Sequence, residues 1–230
     1  MISFSPKGPG RLFLKLSLQD TEKTLRIIKA TIEKGINYYI DSDEFTDTFV
    51  SLLSMSSNAT EETLNEINSI FDLVKKNILL TGNQATRESV MEVLPTFCLM
   101  SGLEEESIIE QYPDTSFISK ASLSIDNLVE EDYDGNLSDL FTEIKESAIE
   151  YGTGILCDLE HIDHFRGFKN PLFIAHVEDE KEIETAMRNN GDCFLLDFTK
   201  FSEGNLVSEV EFVIDEIAEI EKKISLDRGN

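Results

Sequence analysis

Basic side chains are scarce in this chain: 20 Lys and Arg stand against 45 Asp and Glu, a net charge of −25 over 230 residues. A surface that negative repels phosphate backbones and anionic lipid, so neither nucleic acid nor a membrane is expected as a partner. The acids are spread along the whole sequence, which sets aside an acidic disordered tail. Cysteine is rare too. Cys98, Cys157 and Cys193 sit singly inside apolar runs without C-x-x-C spacing, so neither a disulfide framework nor a cysteine zinc site is indicated. Three such residues are expected to be buried small hydrophobes in a reducing compartment. No long apolar run exists either. Val93 to Leu103 ("VLPTFCLMSGL") is about half the length a membrane crossing needs. The opening "MISFSPKGPGRLFLKL" lacks the basic, apolar and small-residue succession of a signal peptide, and a cytoplasmic location is expected. Neither G-x-G-x-x-G nor G-x-x-x-x-G-K-[ST] occurs, which removes the standard signals of dinucleotide and nucleotide binding.

Against these absences, one pattern recurs. "KATIEKGINYYIDSDE", "KESAIEYGTGILCDLE" and "IETAMRNNGDCFLLDF" share a layout. An amphipathic helix carries an alanine near its end (Ala30, Ala148, Ala186), and a glycine follows (Gly35, Gly152, Gly191). A short apolar run then leads to an aspartate six residues after the glycine (Asp41, Asp158, Asp197). Glycine accepts the left-handed conformation that ends a helix. The apolar runs are too short for helices and too apolar for loops, so they read as buried parallel strands. Each aspartate falls where its strand leaves the core. Three copies of one helix–glycine–strand–aspartate unit predict repeated βα architecture.

Four more strands fill the intervals: Arg11 to Leu18, Ile78 to Thr81, a run within 115 to 125 ("TSFISKASLSI"), and "PLFIAHV" at 171 to 177. "VSEVEFVIDEIAEIEKKI" closes the chain as an amphipathic helix with Val207, Val210, Val213, Ile214, Ile217 and Ile220 on its apolar stripe. Seven strands alternating with helices predict an α/β fold: a TIM-like (β/α) barrel of parallel strands with outer helices, incomplete or degenerate by one strand, in a single domain over 1–230. An open doubly wound parallel sheet is the alternative.

The segment "LFIAHVEDEKEIETAMRNNGDCFLLDFTKF" resembles the strand 6–helix 6–strand 7 region of the phosphate-binding TIM barrels of tryptophan and histidine biosynthesis. Indole-glycerol-phosphate synthase and the histidine-biosynthesis isomerases are the type. The resemblance implies a barrel enzyme acting on a small phosphorylated substrate. No "NNR"-like run follows "FLLDF" and no glycine-rich phosphate loop closes the chain after residue 200.

In such a barrel the C-terminal strand ends form the active site, because the βα loops converge there. That level should receive Asp41, Asp158 and Asp197 as acid/base groups, with Asp43, Lys120 and Glu160 as substrate contacts. His176, at the end of its strand, is a further acid/base candidate. Lys15, if it points inward from the first strand, would be an electrophile or charge clamp. The bland alternatives are helix capping for the aspartates and a solvated or edge position for the lysines. His161 and His164, three residues apart, share a face among Asp158, Glu160 and Asp163. With His176 they could hold a divalent metal, the one cofactor the sequence suggests. "SPKGPG" precedes the first strand and belongs to the stability face rather than to a phosphate cradle, and "DYDG" reads as a turn. The function expected is proton transfer of isomerase, epimerase or lyase type on a phosphorylated or carboxylated small molecule. A non-catalytic barrel scaffold and a histidine-based metal hydrolase or isomerase are the alternatives. Self-association into a homo-oligomer stays open.

Overall fold

A computed structural model describes residues 7–41, 44, 47–48, 51, 55–74, 78–82, 117–120, 137–150, 154–170, 172–175, 177, 180–197 and 205–228. Seven short strands run parallel: β1 (Leu12–Lys15), β2 (Asn37–Asp41), β3 (Ile78–Gly82), β4 (Phe117–Lys120), β5 (Gly154–Asp158), β6 (Leu172–Ala175) and β7 (Cys193–Leu196). Each pairs with the next, and β7 pairs back onto β1 through Leu12↔Phe194, Phe13↔Leu195 and Leu14↔Leu196. The described strands therefore form a closed barrel. Closure excludes the open doubly wound sheet. It also answers the shortfall against eight strands, since β7 hydrogen-bonds directly to β1 with no strand between them.

Outside the barrel lie α1 (Thr21–Thr31), α2 (Ser57–Val74), α3 (Leu137–Glu150), α4 (Glu180–Arg188) and α5 (Leu206–Arg228), with 3₁₀ turns η1 (Gly8–Arg11), η2 (Ile32–Lys34) and η3 (Leu159–Phe165). The expected strand at Arg11–Leu18 is shorter than its alternating pattern suggested. Gly8–Arg11 winds into η1 with a proline in its first turn. Beyond Lys15 the chain turns to deliver Asp20, whose carboxylate accepts from the backbone N–H of Lys23 at 3.1 Å and caps α1.

The described side chains of β1, β2, β5, β6 and β7 are buried on both strand faces, as expected of parallel strands under helices. One face of these strands enters the barrel: Phe13, Tyr39, Leu156, Phe173, Cys193 and Leu195 pack together there, with Phe13 and Phe173 edge to face at 5.6 Å. The alternate residues, Leu12, Leu14, Tyr38, Ile40, Ile155, Cys157, Ile174, Phe194 and Leu196, face the helices. On that side they meet Ile27 and Ile28 of α1, Ile67 and Ile70 of α2, Phe141 of α3, Ile183 and Ala186 of α4, and Val210, Ile217 and Ile220 of α5. Cys157 and Cys193 are buried free thiols, as expected; burial pushes both up, and Asp158 adds to the shift at Cys157. Cys98 lies outside the described residues. No described helix is long and apolar enough to cross a membrane.

The three glycines of the repeat act differently. Gly35 takes the left-handed conformation (φ 76°) and ends η2, as the pattern required. Gly191 does not. Asn190 carries the positive φ of 69°, and the N–H of Gly191 donates to Ala186 O at 2.7 Å, closing a Schellman turn. A Cβ on Gly191 would meet that same carbonyl oxygen at 2.9 Å and Ile174 at 3.1 Å. Glycine is needed there for close approach rather than for φ. Gly152 lies outside the described residues.

Candidate active site

Alternation along the strands decides which charged residues can reach the barrel mouth. Phe13, Leu156 and Leu195 point into the barrel. With a period of two, Lys15, Asp158 and Asp197 stand one step further along the same inner faces, at the C-terminal end. Register sets two of them level, because Leu14 pairs with Leu196 and Lys15 and Asp197 follow these in their chains. Lys15 is thus an inward residue, not an edge one. Its Nζ lies 3.9 Å from Oδ2 of Asp197 and 3.5 Å from Oε2 of Glu44. Their side chains are about a quarter exposed or less, at 24% for Lys15, 20% for Asp197 and 13% for Glu44. The hydrophobic layer beneath forms an apolar floor, where such part-covered charge pairs are less screened than on an open surface.

Glu44 is a charged residue at this mouth that the sequence did not single out. It follows β2, and its other oxygen, Oε1, accepts from the backbone N–H of Leu18 at 3.1 Å. One carboxylate thereby ties the β1–α1 loop to the Lys15 ammonium. That loop is held at two further points: Leu16 N–H donates to Tyr39 O at 2.7 Å, and Thr24 Oγ1 donates to Ser17 O at 2.7 Å. The side-chain contacts of Glu44 are with residues 26 or more positions away, so no local spacing marks it.

Asp158 ends β5 and precedes η3. The capping alternative does not hold for it: its side chain makes no cap hydrogen bond. Its Oδ1 is buried without a hydrogen-bond partner, an acceptor turned to neither helix nor backbone. His161 Nε2 is likewise buried and without a hydrogen bond, although Glu160 Oε1 approaches it at 3.4 Å. Glu160 itself is largely exposed. His161 and His164 do share a side of η3, with ring centroids 6.3 Å apart. Both rings lean on Phe141 of α3, His164 stacked parallel at 4.0 Å and His161 tilted at 5.6 Å. Among the described residues no group of three or more His, Cys, Asp or Glu comes together as a metal site.

Of the other sequence candidates, Asp41 ends β2 in register with Thr81, and Lys120 ends β4 in register with Leu156. Both backbones are at the mouth level. Asp43 and His176 lie outside the described residues, as does "DYDG".

A closed parallel barrel with helices outside and ionisable residues at the C-terminal strand ends defines the TIM-barrel class. Solved structures similar to it in fold include OMP decarboxylase of Leishmania donovani, at 11% identity and a TM-score of 0.59, covering 92% of this chain and 94% of that one. Orotidine 5'-phosphate decarboxylase from Pyrococcus horikoshii follows at 11% and 0.54, covering 90% and 98%. GGGPS from Thermoplasma volcanium is similar at 11% and 0.51, covering 93% and 94%. No protein-family model matches the sequence, and no curated protein matches it. The fold expected from the segment at 172–201 is thus shared with these structures, one of which is named for orotidine 5'-phosphate.

Proposed function

We propose that the barrel mouth is the active site of a small-metabolite enzyme, catalysing proton transfer of isomerase, epimerase or lyase type on a phosphorylated or carboxylated substrate. One observation carries this reading: the Lys15 ammonium sits between Glu44 and Asp197 on an inward strand position above an apolar floor. Covering most of a lysine costs hydration that pairs at 3.5 and 3.9 Å offset only in part. A positioned ammonium at a water-poor mouth can hold an anionic substrate group, or protonate carbon as a carbanion develops.

Asp158 supplies the complementary group. Its unpartnered Oδ1 is free to accept a substrate proton or hydroxyl, and His161 Nε2 stands three residues on in the same state. In this division of labour Lys15 binds or donates, Asp158 accepts, and Glu44 and Asp197 position Lys15. The two decarboxylases of similar fold support the lyase version, in which a carboxylated substrate loses CO₂ and the remaining carbon takes a proton from Lys15, which recovers it from water. The general acidity of the chain requires such a local cation for any anionic substrate.

The test is turnover. Phosphorylated and carboxylated metabolites are incubated with the protein in D₂O, and NMR follows deuterium entering C–H positions and CO₂ release. Lys15→Met and Asp158→Asn should each lower a detected turnover by about 100-fold or more, while Lys181→Ala on the exposed side of α4 leaves it unchanged. Turnover that survives Lys15→Met would remove Lys15 from the chemistry.

A further inference from the structure

The end of the barrel opposite the mouth carries a second feature that the proposed reaction does not use. Between η1, the α4–β7 turn and the last third of α5 lies a cavity of about 390 Å³, within the size range of small-molecule sites. Its lining divides by chemistry. Lys7 and Arg11 bring positive charge, Asp192 and Glu221 negative charge, and Met187 and Ile224 an apolar wall.

Not all of those charges are spent on one another. Glu221 is engaged, accepting from Arg11 Nε at 2.7 Å and from the backbone N–H of Gly8 at 3.1 Å. Arg11 Nη1 donates to Asp192 O at 2.8 Å. Its Nη2 donors, by contrast, make no hydrogen bond among the described residues, and Lys7 makes no ion pair there. Two cationic donors are thus available. Beside them, Asp192 commits a single oxygen, Oδ2, to the backbone N–H of Leu172 at 2.9 Å. The last turn of α4 and the residues just after it, represented in the lining by Met187 and Asn190, add the negative end of that helix. The cavity lining therefore sets cationic donors and a carboxylate close together, with Arg11 touching both Glu221 and the Asp192 backbone, beside an apolar wall. A simple anion would use only the cationic donors, and a simple cation only the carboxylate.

We propose that this cavity binds a small zwitterion of the α-amino acid type. Its carboxylate meets Lys7 and Arg11 Nη2, its ammonium meets Asp192 and the C-terminal end of α4, and its apolar side chain lies on Met187 and Ile224. The site is independent of the mouth, so it stands or falls separately from the proposed reaction.

Isothermal titration with L-leucine tests it, alongside 4-methylpentanoate and 3-methylbutylamine, which keep the side chain and only one charge each. L-Leucine should bind saturably and each single-charge analogue at least about tenfold more weakly, since one charge-assisted contact set is lost. Lys7→Ala should weaken L-leucine by about tenfold as well. Ser225→Trp, at an exposed helix position on the cavity rim, should abolish binding by filling the space, whereas Lys15→Met should leave it unchanged. Absence of saturable binding by L-leucine and the other standard amino acids overturns the proposal. So does equal binding of either analogue, or binding that persists in a folded Ser225→Trp variant.

Discussion

Lys15 Nζ stands 3.5 Å from Glu44 Oε2 while the other oxygen of the same carboxylate accepts the N–H of Leu18. The lysine at the end of β1 and the loop that follows it are therefore held by one side chain from beyond β2. Glu44→Ala should cost about 1–3 kcal/mol, because it strips a charged acceptor from a part-buried N–H. Glu44→Gln keeps an acceptor and should cost less. Urea midpoints of the two variants check the order: equal losses would mean that the Leu18 contact contributes nothing.

At the opposite end, Arg11 joins three elements, reaching Glu221 of α5 and the carbonyls of Gly191 and Asp192 before β7. Arg11 and Glu221 are mostly covered, at 19% and 27% exposure. A double-mutant cycle of Arg11→Met with Glu221→Gln should give a coupling of about 1–2 kcal/mol by urea unfolding. A coupling near zero would show that the pair is screened like a surface contact.

The turn after α4 makes a steric prediction. Gly191→Ala forces a methyl against Ala186 O, where backbone rather than a flexible side chain must yield, and should destabilise by about 2 kcal/mol. Asn190→Gly, at the positive-φ position, should change stability by less than about 1 kcal/mol. Thermal unfolding of both variants separates close approach from backbone conformation as the reason for glycine.

Asp192 gives a pH prediction. Burial holds its carboxyl above the usual 3.8, with the Leu172 hydrogen bond and Arg11 opposing the shift. A raised carboxyl is better tolerated protonated in the folded protein, so its ionisation costs stability as pH rises from about 3.8 through the higher folded value. Asp192→Asn keeps an oxygen for Leu172 N–H and removes that cost. Its unfolding free energy relative to the unsubstituted chain should rise as pH climbs through this window and level off above it. A difference that is flat with pH would show that Asp192 titrates as it does in the unfolded chain.

The barrel was legible because its cause is local and repeated: helix, glycine, apolar run and aspartate recur at 37–41, 154–158 and 193–197. Two-sided burial left the strands no polar alternation, yet their shortness between helices was enough to mark them as parallel. Asp158 and Asp197 were readable as strand ends from the repeat, whereas the inward direction of Lys15 was an open alternative that only the packing of Phe13 inside the barrel decides. Glu44 was not, because its partners Lys15 and Leu18 belong to a different βα unit. The Arg11–Glu221 clasp spans 210 positions, and only closure of β7 on β1 brings those ends together. Histidine spacing foretold that His161 and His164 share a side, but the ring of Phe141 between them and α3 has no counterpart in local sequence.

The most direct measurement of the central claim is saturation-transfer NMR of phosphorylated and carboxylated metabolites against the protein and its Lys15→Met and Lys7→Ala variants. If the mouth is the site, at least one such anion binds, its signal is lost in Lys15→Met, and it persists in Lys7→Ala at the far end of the barrel. If every anion that binds does so indifferently to Lys15 in both the parent and the Lys7→Ala protein, or if no anion of either class binds, the assignment of the mouth is contradicted.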